Sequence, residues 1–126
     1  MPFVRISLME GKLEEYKQTI SNSIHDAMVK TINCPPLDRF QVMTDHRKTD
    51  LIYDPSYLGI NRTDDMIMIQ ITLNEGRTVE LKKALYHEIA EQLKARLEIR
   101  PEDIFINLIE VKKENWSFGN GLASYA

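Results

Sequence analysis

The chain has 126 residues, enough for one domain that buries roughly two-thirds of the surface its unfolded form exposes. Hydrophobic residues make up 43% and charged residues 28%, too apolar for a disordered chain, and a net charge of -3 with a pI near 5.6 excludes a whole-molecule field suited to nucleic acid or an anionic membrane. The single cysteine, Cys34, cannot form an internal disulfide, and no apolar run approaches the roughly 18 residues of a membrane span, so a reducing, cytoplasmic setting is expected.

From the start, Pro2 to Leu8 alternates instead of presenting a basic region and an apolar stretch, so it reads as structure and not as an address. Val4, Ile6 and Leu8 share one face of a first strand, and Glu10-Gly11 then punctuates. Tyr16, Ile20, Ile24, Met28 and Ile32 step by four along a helix, which ends before Pro36, and a second strand is expected from about Arg39 to Asp45. His46 to Asp65 carries Asp, Pro, Gly and Asn without a clear period and reads as a long loop. The pattern then returns: Ile67, Ile69, Ile71 and Leu73 as a strand, Leu81, Leu85, Ile89, Leu93 and Leu97 as a helix, Pro101 as its stop, and Ile104 to Val111 as a last strand before a tail.

This return is a repeat. Ile6-Ser7-Leu8-Met9-Glu10-Gly11-Lys12 aligns with Ile71-Thr72-Leu73-Asn74-Glu75-Gly76-Arg77 at an offset of 65 residues, and the same offset pairs Pro36, Asp38 and Phe40 with Pro101, Asp103 and Phe105. Two copies, about 1–48 and 66–113, imply a duplicated βαβ unit within one α/β domain spanning 1–126, with a connecting loop and a C-terminal tail. The expected fold is a four-stranded, mainly parallel sheet with two helices on one face and right-handed crossovers within each unit. The other face would hold Phe3, Arg5, Ser7, Met66, Met68, Gln70 and Thr72, too apolar to leave wet, which predicts homo-oligomerisation across it.

Pro2 is the first candidate for chemistry. Methionine before proline is expected to be trimmed, and Pro2 would then present a secondary amine, a group able to act as general base, general acid or iminium-forming nucleophile. Arg77, at the start of the second helix, could hold a carboxylate in a bidentate fork. Asp38 near Pro2 would favour the charged amine, although its repeat mate Asp103 also suits a simple turn role. Trp116 and Phe118, flanked by Gly119 and Gly121, would form an apolar wall that strengthens charge interactions beside it. Lys12, the repeat mate of Arg77, reads as a solvated charge. His25, His46 and His87 show no ligand spacing with Cys34, so neither a metal nor a cofactor is expected.

With an amino-terminal proline opening a βαβ unit, Glu10-Gly11-Lys12 after the first strand, and a duplicated unit, the chain resembles the tautomerase superfamily. Pro36-Leu37-Asp38-Arg39-Phe40-Gln41, His46-Arg47 and above all Trp116-Ser117-Phe118-Gly119-Asn120-Gly121 bring it nearest the malonate semialdehyde decarboxylase branch. The resemblance implies a homotrimer acting on a small carboxylate, with Pro2 as the central catalytic group, Arg77 binding substrate, Asp38 positioning water or tuning the proline, and His46-Arg47 contributing to the pocket. That branch has a second arginine two residues before the first, where Asn74-Glu75 stands here. The expected function is therefore enol-keto tautomerisation of a small 2-oxo acid, with a decarboxylase or hydratase of a 3-oxo acid and a non-catalytic oligomeric binding module as the alternatives.

Overall fold

The computed structural model describes residues 2–125. Strand β1 (Phe3–Met9) leads into helix α1 (Glu14–Ile32) and strand β2 (Phe40–His46); after the loop, strand β3 (Ile67–Asn74), helix α2 (Val79–Leu97) and strand β4 (Ile104–Val111) repeat the order. Both helices are 19 residues long and stand 65 residues apart, so the duplication persists through whole elements. Even the helix ends match: Asn33 and Glu98 each take the left-handed conformation that closes the last turn, a role more often given to glycine. Gly11 and Gly76, with φ of 107° and 114°, make the sharp exit from β1 and β3 that a side chain would strain.

The sheet order is β2-β1-β3-β4. Each unit pairs its own strands in parallel, as a helical crossover demands, and the two units join through β1 and β3, which run antiparallel. The expectation of a mainly parallel sheet therefore holds for the outer pairs, while the central seam is antiparallel because it relates two copies of the unit by a pseudo-twofold axis. Both helices pack on one face. Val4, Ile6 and Leu8 of β1 and Ile67, Ile69, Ile71 and Leu73 of β3 meet Ile20, Ile24 and Met28 of α1 and Leu85, Ile89 and Leu93 of α2, all essentially buried. Of the expected helix positions, Tyr16 is half-buried against the core and Leu81 is exposed.

Across the opposite face Phe40 and Phe105 are each 49% exposed, and Val42 and Ile109 are exposed with them. Met66, expected on this open face, is buried: the connecting loop folds Leu51 and Tyr53 back onto Met9, Met66 and Met68 and covers one end of the sheet. Thr63 anchors that loop. Its amide and hydroxyl both donate to Asp103 at 2.7 Å, so the carboxylate at the start of β4 is fully engaged. Among the described residues no helix is long and apolar enough to cross a membrane.

Candidate active site

The strand register sets the geometry around Pro2. Phe3 lies beside Phe40 in the parallel pair and beside Thr72 in the antiparallel pair, so Pro2, one residue earlier, sits between the entry of β2 and the exit of β3. Asp38 precedes β2 by two residues and Asn74 ends β3, so one flanks Pro2 on each side. Pro2 is buried. Met1, whose removal the sequence predicts, lies outside the described residues.

Asp38 is held by a turn. Its amide donates to the Pro35 carbonyl at 3.0 Å, the Cys34 thiol donates to its carbonyl at 3.4 Å, and a ring nitrogen of His25 on α1 bonds the Pro36 carbonyl at 2.8 Å. The carboxyl is 8% exposed and its Oδ2 is buried without a partner among the described residues. Burial pushes this carboxyl above its ordinary range, and the positive charge of the amino terminus and His25 pull it part of the way back. The contrast with Asp103 is the informative feature. At the equivalent position of the second unit Thr63 fills the acceptor oxygens, whereas in the first unit an acceptor oxygen is left open next to Pro2.

Arg77 does not begin α2 as expected; Thr78 caps that helix by accepting the Leu81 amide at 3.2 Å, and Arg77 lies just before the cap. Its guanidinium donates to the Asn74 carbonyl at 3.0 Å and to the Ile32 carbonyl at 3.5 Å, docking on the negative end of α1. Two of its N–H donors are used in this way, and a guanidinium carries five. Cys34 is buried beside the same group: burial and the charge of Asp38 raise its thiol pKa, while the amino terminus and Arg77 lower it. A buried thiol with a raised pKa is a structural group and not a nucleophile.

The tail builds the wall. Trp116 and Phe118 stack with ring centroids 5.3 Å apart and planes 9° from parallel, and Phe118 lies 5.7 Å from Phe40. Trp116 Nε1 donates to Asn74 Oδ1 at 2.7 Å, tying the wall to the end of β3. The chain then turns back, with the Ser124 amide on the Trp116 carbonyl and the Phe118 amide on Ser124 Oγ, and brings the Tyr125 ring edge-on to Phe118 at 5.3 Å. The Tyr125 hydroxyl is buried without a partner among the described residues; burial and the charge of Asp38 both raise its pKa. Sequence reasoning missed Tyr125. An aromatic residue one place from the chain end carries no period, and only the reversal at Gly119 to Gly121 reveals where it goes.

Other expectations are not met within one chain. His46 ends β2, beside Met9 at the far end of β1 from Pro2, and Arg47 pairs with Asp50 at 3.1 Å. Parallel pairing separates these residues from Pro2 by the length of the strand. Lys12 is not a free solvated charge but bonds Asp65 at 2.6 Å.

A family model described as a tautomerase enzyme matches residues 38–119, and a second of the same description matches residues 2–60. The chain belongs to the tautomerase family. Among its relatives, the probable tautomerase YusQ of Bacillus subtilis (strain 168) is 47% identical over 98% of this chain and 97% of its own length. The probable tautomerase YrdN of the same organism is 29% identical over 99% and 96%. Among solved structures, a malonate semialdehyde decarboxylase inhibited by 3-bromopropiolate superimposes with a TM-score of 0.91 at 34% identity, covering 98% of this chain and 93% of that one. A second malonate semialdehyde decarboxylase, for which decarboxylase and hydratase activities are described, gives 0.91 at 25% identity over 98% and 95%. The chain thus lies in the malonate semialdehyde decarboxylase-like branch of the tautomerase superfamily.

Proposed function

We propose that the chain is a proline-dependent tautomerase of a small 2-oxo acid, with the amine of Pro2 exposed by removal of Met1. The observation that carries this reading is the unpartnered Asp38 oxygen and the guanidinium of Arg77 flanking the buried Pro2 beneath an aromatic wall. Arg77 holds the substrate carboxylate with the donors it does not spend on the fold. The neutral amine of Pro2 takes the enol O–H proton; the oxygen pair closes the C=O bond, the C=C pair moves onto the adjacent carbon, and the Pro2 ammonium returns the proton there. No co-reactant is consumed. Trp116 and Phe118 exclude water, and in that dry setting the cation of Arg77 stabilises the enolate more strongly than it would in water. In this reading Asp38 and the Tyr125 hydroxyl, near enough that the charge of Asp38 raises the tyrosine's pKa, orient the amine and the migrating proton.

The test combines mass and kinetics. Intact-mass analysis is expected to show loss of Met1, and Pro2→Ala is expected to lower kcat for enol ketonisation far more than it raises KM. Retained Met1, or an unchanged kcat in the variant, overturns the role of Pro2. A second reading is supported by Asp38, whose negative charge beside the amino terminus favours a protonated amine. In that reading the chain is a decarboxylase or hydratase in which charged Pro2 polarises a carbonyl and Asp38 aims a water. The pH profile of kcat/KM separates them, since the base must be neutral and the acid charged.

The assembly belongs to the same proposal. Solved structures of fused 4-OT proteins with this fold are described as trimers, and the apolar open face supports a homotrimer here.

A further inference from the structure

Asn74 stands where the site's cation and its wall meet. Its carbonyl oxygen accepts from Arg77 Nη1 at 3.0 Å, and its Oδ1 accepts from Trp116 Nε1 at 2.7 Å. An indole nitrogen can only donate, so the amide oxygen must face Trp116 and the amide NH2 must face away from it. Those two N–H donors bond no described residue, and Asn74 is only half-buried. The register puts Asn74 at the strand exit beside Pro2, one residue beyond Leu73.

We propose that Asn74 is a substrate-binding, specificity-determining residue, whose fixed amide donates to the 2-oxo oxygen of a monocarboxylate that Arg77 holds by its carboxylate. The proposal deepens the reading of the site as one that binds 2-oxo acids. A neutral donor next to a cationic one matches the charge pattern of such a ligand: one anionic group and, two atoms away, one uncharged oxygen. Two cations would instead suit a ligand with two anionic ends. The tie to Trp116 matters because an amide free to flip would present an acceptor half the time, and an acceptor facing a carbonyl oxygen repels it. A donor placed in advance confers selectivity, since a ligand lacking the oxygen leaves the amide desolvated and unpaired.

Calorimetric binding of a matched pair tests this on the full-length protein. Phenylglyoxylate carries the carboxylate, the ring and the 2-oxo oxygen but no hydrogen to enolise; phenylacetate lacks only that oxygen. Wild type is expected to bind phenylglyoxylate roughly tenfold more tightly, the scale of one neutral hydrogen bond at a buried site. Asn74→Asp keeps the acceptor for Trp116 but replaces the donors with an anionic oxygen, and it is expected to abolish the preference. Asn74→Leu, of the same branched shape and without donors, is expected to bring the two ligands within about twofold. Arg77→Ala should weaken both ligands alike, and an unaffected Arg77 variant counts against the reading of the site. Equal binding of the pair by wild type, or a preference preserved in either Asn74 variant, overturns the proposal whether or not the protein turns over an enol.

Discussion

At Arg77 two N–H donors go to backbone carbonyls, and those bonds aim the rest of the guanidinium. A single charge-assisted fork contributes about 1.5–3 kcal/mol, so Arg77→Ala should lower kcat/KM for an enol 2-oxo acid by roughly tenfold to a hundredfold, measured by steady-state kinetics. Arg77→Lys should recover only part, because an ammonium cannot reproduce the planar fork or hold both carbonyls. Asp38 makes the opposite trade. Burial keeps its carboxyl above the ordinary value of 3.8, so the folded chain holds that proton more tightly than the unfolded chain does. Its favourable contribution is complete below pH 3.8 and is lost as pH rises through the raised folded value, where an ionised oxygen must remain buried. Asp38→Asn cannot ionise. Thermal melts from about pH 3 to about pH 7 should therefore show the variant gaining on wild type as pH rises, while its activity falls. A stability difference that does not change with pH would show that Asp38 is solvated in solution.

Between elements, the two copies of one unit have diverged in what fills the space before their second strands. Around Asp103 the connecting loop supplies Thr63, and Leu51 packs against Met9; around Asp38 no described residue fills the open oxygen, and Trp116 reaches Asn74, the residue equivalent to Met9. Thr63→Val preserves shape but removes a hydroxyl donor from a fully buried carboxylate. It should cost about 1.5–3 kcal/mol in denaturant melts and speed amide exchange across the loop before β3, with the helices unaffected. The elements themselves were legible because their cause is local: the alternation in Val4, Ile6 and Leu8 and the four-residue step from Ile20 to Met28 each follow from burying one face. The offset of 65 residues made the second unit a copy of the first. The antiparallel β1–β3 seam was not legible, since nothing local to either strand says how two units join. Pro2, Asp38, Arg77, Trp116 and Phe118 were named from the sequence, and the fold brings them to one end of the sheet. Asn74 appeared only with Glu75 in the stretch that lacks a second arginine, and Tyr125 not at all, because their roles depend on how the tail turns back.

For the whole molecule the unresolved term is the open face of the sheet. Phe40, Val42, Phe105 and Ile109 lie on it with Met68, while Arg5, Gln70 and Asn107 supply polar groups among them, Gln70 donating to Asn107 at 3.2 Å. Parallel strands are rarely left wet on one side, and at about 25 cal/mol per Å² an apolar patch of this kind supplies much of the drive for association. A homotrimer would bury it and would bring a neighbouring chain's residues toward sites that are open in one chain, a route by which His46 and Arg47 could reach a pocket far from their own Pro2. Sedimentation at micromolar concentration is expected to give a mass near three chains. Phe105→Glu provides the test, because Phe105 is half exposed in the single chain and a charge there costs the isolated fold little, whereas a charge at Met68, which also packs against the loop, would disturb the fold itself. In the assembly that carboxylate would be buried without a partner, so the variant should dissociate while keeping its far-ultraviolet circular dichroism, and turnover should fall with trimer content. A Phe105→Glu variant that stays trimeric would place the interface elsewhere, and a dissociated variant with full activity would show that each site is complete within one chain.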